Sequence, residues 1–212
     1  MRGRRDSARS SRPKSEITRE KLCRATARLL EQKPLLELKV ADITNASAVA
    51  PSTFYIYFAD IHEAALGALE TVARDRPDLE SRVQAIGQGD TRRRVRLVLN
   101  DYLAFWDDHY AILRMRNLAA DEGDRRFRDV RATMLMPMIE AIAAKITEFR
   151  GPEPGGVPAL ALATLLCGAM ERLASIIRLN RTGPQLTRRR MIDAMVLMMS
   201  ETINPPGSTP ER

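Results

Sequence analysis

The sequence predicts an all-α protein, with a three-helix helix-turn-helix domain at its N-terminus and a larger helical bundle behind it. Ala, Leu, Met, Arg and Glu dominate the body of the chain, and these residues lose little side-chain freedom in a helix. Apolar residues also recur at three- and four-residue intervals, which is the spacing of one helix face. With 212 residues, the chain is long enough to bury a hydrophobic core.

The first domain is predicted from its caps and breaks. Residues 1–14 are rich in Arg, Ser, Gly and Pro and are expected to form a disordered basic arm. Ser15 is expected to cap a first helix that Pro34 ends. The remaining predicted elements of residues 15–74 are a short helix over 40–47, a turn at 48–50, a second short helix over 51–58 and a longer helix over 60–74.

A second domain is predicted over residues 75–203. The segment from Arg74 to Asp90 contains Pro77, Gly87 and Gly89, so the boundary is placed there. The helices predicted beyond it cover residues 91–109, 110–120, 124–150, 159–180 and 184–203. Residues 204–212 are expected to fray as a disordered tail.

The segment "VADITNASAVAPSTFYIYF" (40–58) has the dimensions of a helix-turn-helix. Four of the chain's ten aromatic residues lie in its last five positions, which is a composition typical of a strand. A helical wheel nevertheless divides these positions cleanly, because Phe54 and Phe58 share one side and Tyr57 takes the other. Pro51 suits the first position of such a helix.

The outward side of this short helix carries the chemistry expected of a nucleic-acid contact. Ser52, Thr53 and Tyr57 present hydroxyls that can donate to phosphates or base edges, and Tyr55 lies between this side and the core. The alternative is ordinary surface packing of the tyrosines. Ile56 faces outward as well, either as an exposed residue without a role or against a thymine methyl group.

Charge is concentrated at the N-terminus. The net charge is +7, and residues 1–24 hold nine Lys or Arg against three acidic residues, which accounts for +6 and leaves about +1 elsewhere. A basic arm on a nearly neutral body predicts a polyanionic partner held at one end, although a solvated tail without a partner has the same composition.

Metal, disulfide and membrane roles are not expected. Cys23 and Cys167 lie far apart in apolar patterns, without a Cys or His at ligand spacing, and indicate buried thiols in a reducing compartment. The apolar run from Val157 to Met170 is too short to span a bilayer, and no apolar segment follows the basic N-terminus as in a signal peptide. We expect a cytoplasmic protein without cofactors.

The segment "KVADITNASAVAPSTFYIYF" and the preceding "REKLCRATARLLEQ" resemble the DNA-binding region of the TetR family of bacterial regulators, most closely its EthR-like branch. The resemblance covers about residues 15–70. It implies double-stranded DNA as partner, at a roughly palindromic operator. By position, the DNA-facing residues are Lys39, Pro51, Ser52, Thr53, Tyr55 and Tyr57.

The chain departs from the family pattern at several positions. Ala48 replaces the turn glycine, Ala50 replaces a serine cap, and Thr44 replaces the alanine after the isoleucine. Ile61 replaces a lysine that contacts phosphate. The cations and polar groups expected to compensate for that lysine are His62 and the basic arm, including Arg12 and Lys14.

The family resemblance also implies a small-molecule effector inside the second domain and a homodimer formed through the helices at 159–180 and 184–203. Few charges interrupt the helix faces of this domain, which favours an apolar or amphipathic effector. Nine of the ten methionines lie in this domain, and Met suits either an irregular core or an adaptable pocket. The residues predicted to line the pocket are Tyr102, Phe105, Trp106, Tyr110, Met115, Met134, Met138 and Met170.

Three other functions compete with a ligand-responsive repressor. An enzyme is disfavoured because the chain has only two histidines and no nucleophile or phosphate-binding motif. Asp107, Asp108 and Glu171 are expected to be solvated helix positions. The remaining alternatives are a helical module that binds protein or membrane surfaces through its basic arm, and a regulator without an effector.

Overall fold

The structure, a computed structural model, describes residues 13–179 and 186–205. Every regular element of these residues is helical, with ten α-helices and two short 3₁₀ turns. The chain divides into two compact units between Thr71 and Val72. The predicted all-α class, with an N-terminal helix-turn-helix and a larger bundle, is therefore confirmed. The arm up to residue 12 and the tail from residue 206 lie outside the described residues.

The first unit begins with α1 (Lys14–Leu30) and contains a 3₁₀ turn at Leu35–Glu37, α2 (Val40–Ser47), α3 (Pro51–Tyr57) and α4 (Ile61–Arg74), whose last turn crosses the division. The prediction that Ser15 caps α1 is wrong. The amide of Ile17 already donates to the Pro13 carbonyl (3.2 Å), so the first turn closes before Ser15 can act as a cap.

The core of the first unit is held together around Phe58 and Gly67. A Cβ added to Gly67 would lie 2.9 Å from Cε1 of Phe58 and 3.1 Å from Sγ of Cys23, so α4 can approach this closely only with glycine there. The guanidinium of Arg19 lies 5.4 Å from the Phe58 ring centroid and pairs with Glu70 at 2.8 Å. Phe58 thereby fixes the end of α3 against α1 and α4.

The second unit is a six-helix arrangement within the described residues. Its helices are α5 (Leu79–Gln84), α6 (Thr91–Asp108), α7 (Tyr110–Asp121), α8 (Arg125–Arg150), α9 (Ala159–Leu179) and α10 (Arg188–Ile203). α8 is the central element and packs against α5, α7, α9 and α10. A 3₁₀ turn at Pro154–Gly156 precedes α9.

Two boundaries in the second unit differ from the predictions. α5 lies in the segment where the domain boundary is predicted and no helix is expected, because the Asp78 side chain accepts a hydrogen bond from the Ser81 amide (3.0 Å) and caps a helix directly after Pro77. α10 begins at Arg188 and not at Pro184, since the Thr187 hydroxyl accepts from the Arg190 amide (3.3 Å). Residues 180–185 lie outside the described part of the chain.

α9 is apolar enough to resemble a membrane span. Residues 159–178 have a mean hydropathy of 1.6 and sufficient length, contrary to the prediction that this region is too short. Length and composition alone are weak evidence for a span, because a core helix passes the same test. In this protein 44% of the segment is buried, and α9 packs against α8 and α10.

Candidate functional site

The turn between α2 and α3 follows a defined hydrogen-bonding pattern. Ala48 adopts a left-handed conformation (φ 54°, ψ 43°), the Ala48 amide donates to the Asn45 carbonyl (3.3 Å), and the Val49 amide donates to the Thr44 carbonyl (3.0 Å). These two bonds form a Schellman motif. An alanine in this conformation costs about 1 kcal/mol relative to the glycine that usually occupies it.

α3 is a two-turn helix that starts and stops sharply. Pro51 occupies its first position after the extended Ala50, as predicted. Phe54 is completely buried and its ring lies 5.7 Å from that of Phe58. The predicted end at Phe58 is one residue too far, because Phe58 has extended backbone (φ −143°) and turns the chain toward α4.

The outward side of α3 is polar and accessible. Tyr55 is 62% exposed and Ile56 is 74% exposed. Pro51 and Ser52 are exposed, and Thr53 and Tyr57 are half-buried. Within the described part of the chain, the four hydroxyls of α3 make no hydrogen bond. Donors on a short exposed helix are therefore available to phosphates and base edges.

In the sequence, Lys39 precedes this helix and His62 follows it. The Lys39 amide donates to Oδ2 of Asp42 (2.8 Å), which caps α2 and leaves the exposed Lys39 side chain outside the cap. Lys33 also donates to Asp42 (2.6 Å), and this bond is the main reason why the pKa of Asp42 lies below its ordinary value.

The remaining residues predicted to contact DNA do not form one cluster. Tyr55 and His62 line one open groove of about 290 Å³, together with leucines of the α1–α2 connection. Lys14 is exposed at the first position of α1, and Arg12 lies outside the described residues. The structure therefore brings His62 together with α3.

A small cavity lies inside the second unit. It has a volume of about 20 Å³ and is lined by five residues predicted for the effector pocket: Tyr102, Phe105, Trp106, Met134 and Met138. Five further lining residues are missed by the prediction: Arg76, Leu79, Leu113, Arg116 and Leu135. Aromatic rings, thioethers and leucines make up most of this lining.

The structure places the other three predicted pocket residues outside this cavity. Tyr110 lies at the start of α7, with the Arg178 guanidinium 4.6 Å from its ring centroid. Met115 and Met170 are buried in the core. Met115 directly precedes Arg116 on α7 and therefore points about 100° away from it around the helix. Composition identified these residues, but helix orientation excludes them from the cavity.

A buried ionic cluster borders the cavity, and the expectation that Glu171 is solvated is wrong. Glu171 is 3% exposed and Arg116 is 2% exposed. Glu171 accepts from Nη2 of Arg116 (2.6 Å) and from Nε and Nη2 of Arg131 (2.9 and 2.5 Å). Burial lowers the pKa of Arg116, and the Glu171 charge opposes this change. The sequence signal for this cluster is that Arg116 and Glu171 occupy positions on the apolar faces of α7 and α9.

The two cysteines are buried thiols, and the described residues contain no cluster of possible metal ligands. Cys23 and Cys167 are both buried, as predicted. Burial, reinforced by the Glu171 charge, raises the pKa of the Cys167 thiol to about 12, which keeps it protonated. No group of His, Cys, Asp and Glu in residues 13–179 and 186–205 could hold a metal ion.

Comparison with known proteins agrees with this architecture. Residues 79–199 match the sequence profile described as tetracyclin repressor-like, C-terminal domain. The chain is 31% identical over 161 residues to the HTH-type transcriptional regulator EthR of Mycolicibacterium smegmatis, a match that covers 74% of this chain and 73% of the relative.

Solved structures share the fold at low sequence identity. A TetR-family transcriptional regulator from Streptomyces coelicolor matches with a TM-score of 0.67 and 16% identity, over 88% of this chain and 79% of that one. The regulator FadR from Bacillus subtilis, in complex with stearoyl-CoA, matches with a TM-score of 0.63 and 12% identity, over 88% and 98% of the chains. With the profile match and the EthR relative, these findings show that the chain belongs to the TetR family of DNA-binding transcriptional regulators.

Proposed function

We propose that the protein is a cytoplasmic repressor that binds a palindromic operator as a homodimer and releases it when a small effector binds. The observation that carries the DNA-binding assignment is the outward side of α3, where four hydroxyls lack an intramolecular partner in the described residues. Lys39, His62, Lys14 and Arg12 supply further contacts to phosphate. The protein acts by binding and not by catalysis.

Selection of bound sequences from a random duplex pool identifies the operator and tests whether it is palindromic. On that operator, we expect Thr53→Ala and Tyr57→Ala each to weaken binding by about 1–3 kcal/mol, or roughly ten- to a hundredfold, because each removes an outward contact. Gel-shift titration at fixed salt measures the loss, since affinity for DNA depends strongly on salt.

The matched control is Thr133→Ala, which removes an exposed threonine hydroxyl from α8 in the second unit. It should leave operator affinity unchanged. Normal operator binding by both α3 variants would contradict the assignment of this helix side to DNA. A basic-arm module that binds only surfaces would instead yield no consensus sequence.

The proposed homodimer is supported by the exposed side of α9. Its exposed residues recur at three- and four-residue intervals and include Leu160, Leu165 (72% exposed) and Gly168. α10 exposes Leu197 and Met198. A soluble monomer rarely leaves so many large apolar side chains exposed on neighbouring helices, so a second copy is the proposed cover.

Gly168→Leu tests this dimer interface. A Cβ at Gly168 meets no atom within 4 Å in the protomer, so the larger residue is tolerated within one copy and obstructs only an approaching helix. We expect dissociation into folded monomers, measured by sedimentation, with a loss of about 1–3 kcal/mol of association free energy from overpacking. Ala132→Leu, at an exposed position of α8, is the control. An unchanged dimer in Gly168→Leu would exclude this face.

The effector site is proposed for the cavity bordered by Trp106 and Met134. Adaptable thioethers and aromatic rings form its wall, which suits an apolar or amphipathic ligand. A related fold, that of FadR, binds stearoyl-CoA, an amphipathic molecule. Binding would favour a state in which the two recognition helices no longer match the half-sites. A regulator without an effector is the alternative.

A further inference from the structure

The polar part of the cavity carries a surplus of positive charge. In the buried cluster, the two guanidiniums of Arg116 and Arg131 share the single carboxylate of Glu171. The other acidic partner, Asp121, is 70% exposed and reaches only Arg131, at 3.3 Å. No acidic residue is among those that line the cavity. Arg116 therefore brings a buried positive charge to the cavity wall that Glu171 only partly compensates.

Two hydrogen-bond donors at this wall lack a strong acceptor. Nη1 of Arg116 has only the thioether sulfur of Met134 as partner, at 3.3 Å, and sulfur is a weak acceptor. The Tyr102 hydroxyl is buried and has no hydrogen-bond acceptor within the described part of the chain, since the nearby Trp106 indole can only donate. Unsatisfied donors in a dry site are costly, and an acceptor on a ligand would remove that cost.

The ionisation of Tyr102 suits it to donate. Burial raises the pKa of its hydroxyl well above the ordinary value, and the Glu171 charge raises it further, although the Trp106 side chain acts in the opposite direction. The hydroxyl therefore stays protonated at neutral pH. A neutral phenol beside a guanidinium can share an anionic acceptor with it.

We propose that the effector carries a single carboxylate, which binds between Nη1 of Arg116 and the Tyr102 hydroxyl while an apolar body lies against Trp106 and Met138. This inference rests on the proposed effector site and specifies the class of ligand. A carboxylate matches the few donors present, whereas a phosphate dianion requires more of them. A cationic head group is disfavoured by the charge of Arg116, which Glu171 only partly compensates.

The cavity can open for such a ligand along α8. Its present volume of about 20 Å³ holds roughly one water molecule. Met134 and Met138 flank Pro137, which lies inside α8 and has no amide hydrogen to bond the preceding turn. Unbranched methionines next to a weakened turn can move aside, and the carboxylate then replaces the Met134 sulfur as the partner of Arg116.

The test uses the full chain without DNA and the fluorescence of Trp106, the only tryptophan, which lines the cavity. The probes are hexanoate, octanoate and decanoate, each compared with the alcohol and the primary ammonium ion of equal chain length. We expect at least one carboxylate to bind about tenfold or more tightly than its matched alcohol, since hydrogen bonds to charged groups exceed neutral ones. The ammonium ions should not bind.

Tyr102→Phe identifies the contact. It removes one hydroxyl that has no acceptor in the described residues, so the protein should fold normally, whereas substitution of Arg116 would leave Glu171 paired with Arg131 alone. We expect about a tenfold loss of carboxylate affinity and a smaller loss for the alcohol. Tyr110→Phe, a tyrosine outside the cavity, should bind the carboxylates as the parent does.

Three results would overturn the inference: equal or tighter binding of the alcohols or ammonium ions, unchanged carboxylate affinity in Tyr102→Phe, or no response to any carboxylate of the series. Because no DNA is present, a failure of operator binding does not affect this test. If the neutral alcohols released the operator, the proposed ligand-responsive function would stand. Only the proposal that the effector carries a carboxylate would be rejected.

Discussion

Glu171→Gln is expected to lower the unfolding free energy of the second unit by about 3–5 kcal/mol. The amide keeps the shape of the side chain but removes the buried negative charge that faces Arg116 and Arg131 in the described residues. Two guanidiniums then remain close together, and Arg116 is only 2% exposed. Denaturant unfolding followed by Trp106 fluorescence measures the loss, because the only tryptophan lies in this unit.

Glu201→Gln is the matched control, since it makes the same chemical change in an exposed pair with Arg92. Its cost should stay below about 1 kcal/mol. The double variant Arg116→Met with Glu171→Met should recover most of the stability, because it removes both buried charges of the pair. If Glu171→Gln were as mild as Glu201→Gln, the cluster would not be a dry ion pair.

Phe54→Ala is expected to cost about 3–5 kcal/mol in the first unit. The side chain is completely buried in a small helical unit, where this loss approaches the whole stability of a domain of that size. Protection of the α1–α3 amides from hydrogen exchange should fall, and operator binding should be lost with it. The Trp106 transition reports only on the second unit.

Ile56→Ala provides the comparison on the same helix. It shortens an apolar side chain that is mostly exposed, so the change should lie within about 0.5 kcal/mol. The contrast between these two variants tests the division of α3 into a buried and an outward side. A larger cost for Ile56→Ala than for Phe54→Ala would reverse that division.

The helix-turn-helix was predictable because its signals are local. Residues 40–47 form a helix as predicted, and Pro51 marks the start of α3. The period of the aromatic residues distinguished a helix from a strand although their composition did not. These features depend on backbone geometry within a few residues, which the sequence encodes directly.

The cavity and the ionic cluster depend on contacts between distant residues and were only partly predictable. Five of the predicted pocket residues line the cavity, because aromatic residues and methionines are common both there and in the core. Arg116 and Glu171 are 55 residues apart, and no local signal shows that they meet. A charged residue on the apolar face of α7 or α9 needs a partner of opposite charge, but its position does not show which residue that partner is. The cap of α5 was missed because Pro77 indicated a domain boundary.

α9 presents Glu171 to the interior, where it pairs with Arg116 of the cavity wall, and Leu165 and Gly168 to the exterior, so one helix connects the cavity wall with the proposed dimer interface. Thermodynamic linkage makes the two equilibria reciprocal. A ligand that favours one position of α9 changes the dissociation constant of the dimer by some factor. Dimerisation must then change the affinity for the ligand by the same factor. Dilution of the protein, which favours the monomer, then changes the affinity for the ligand.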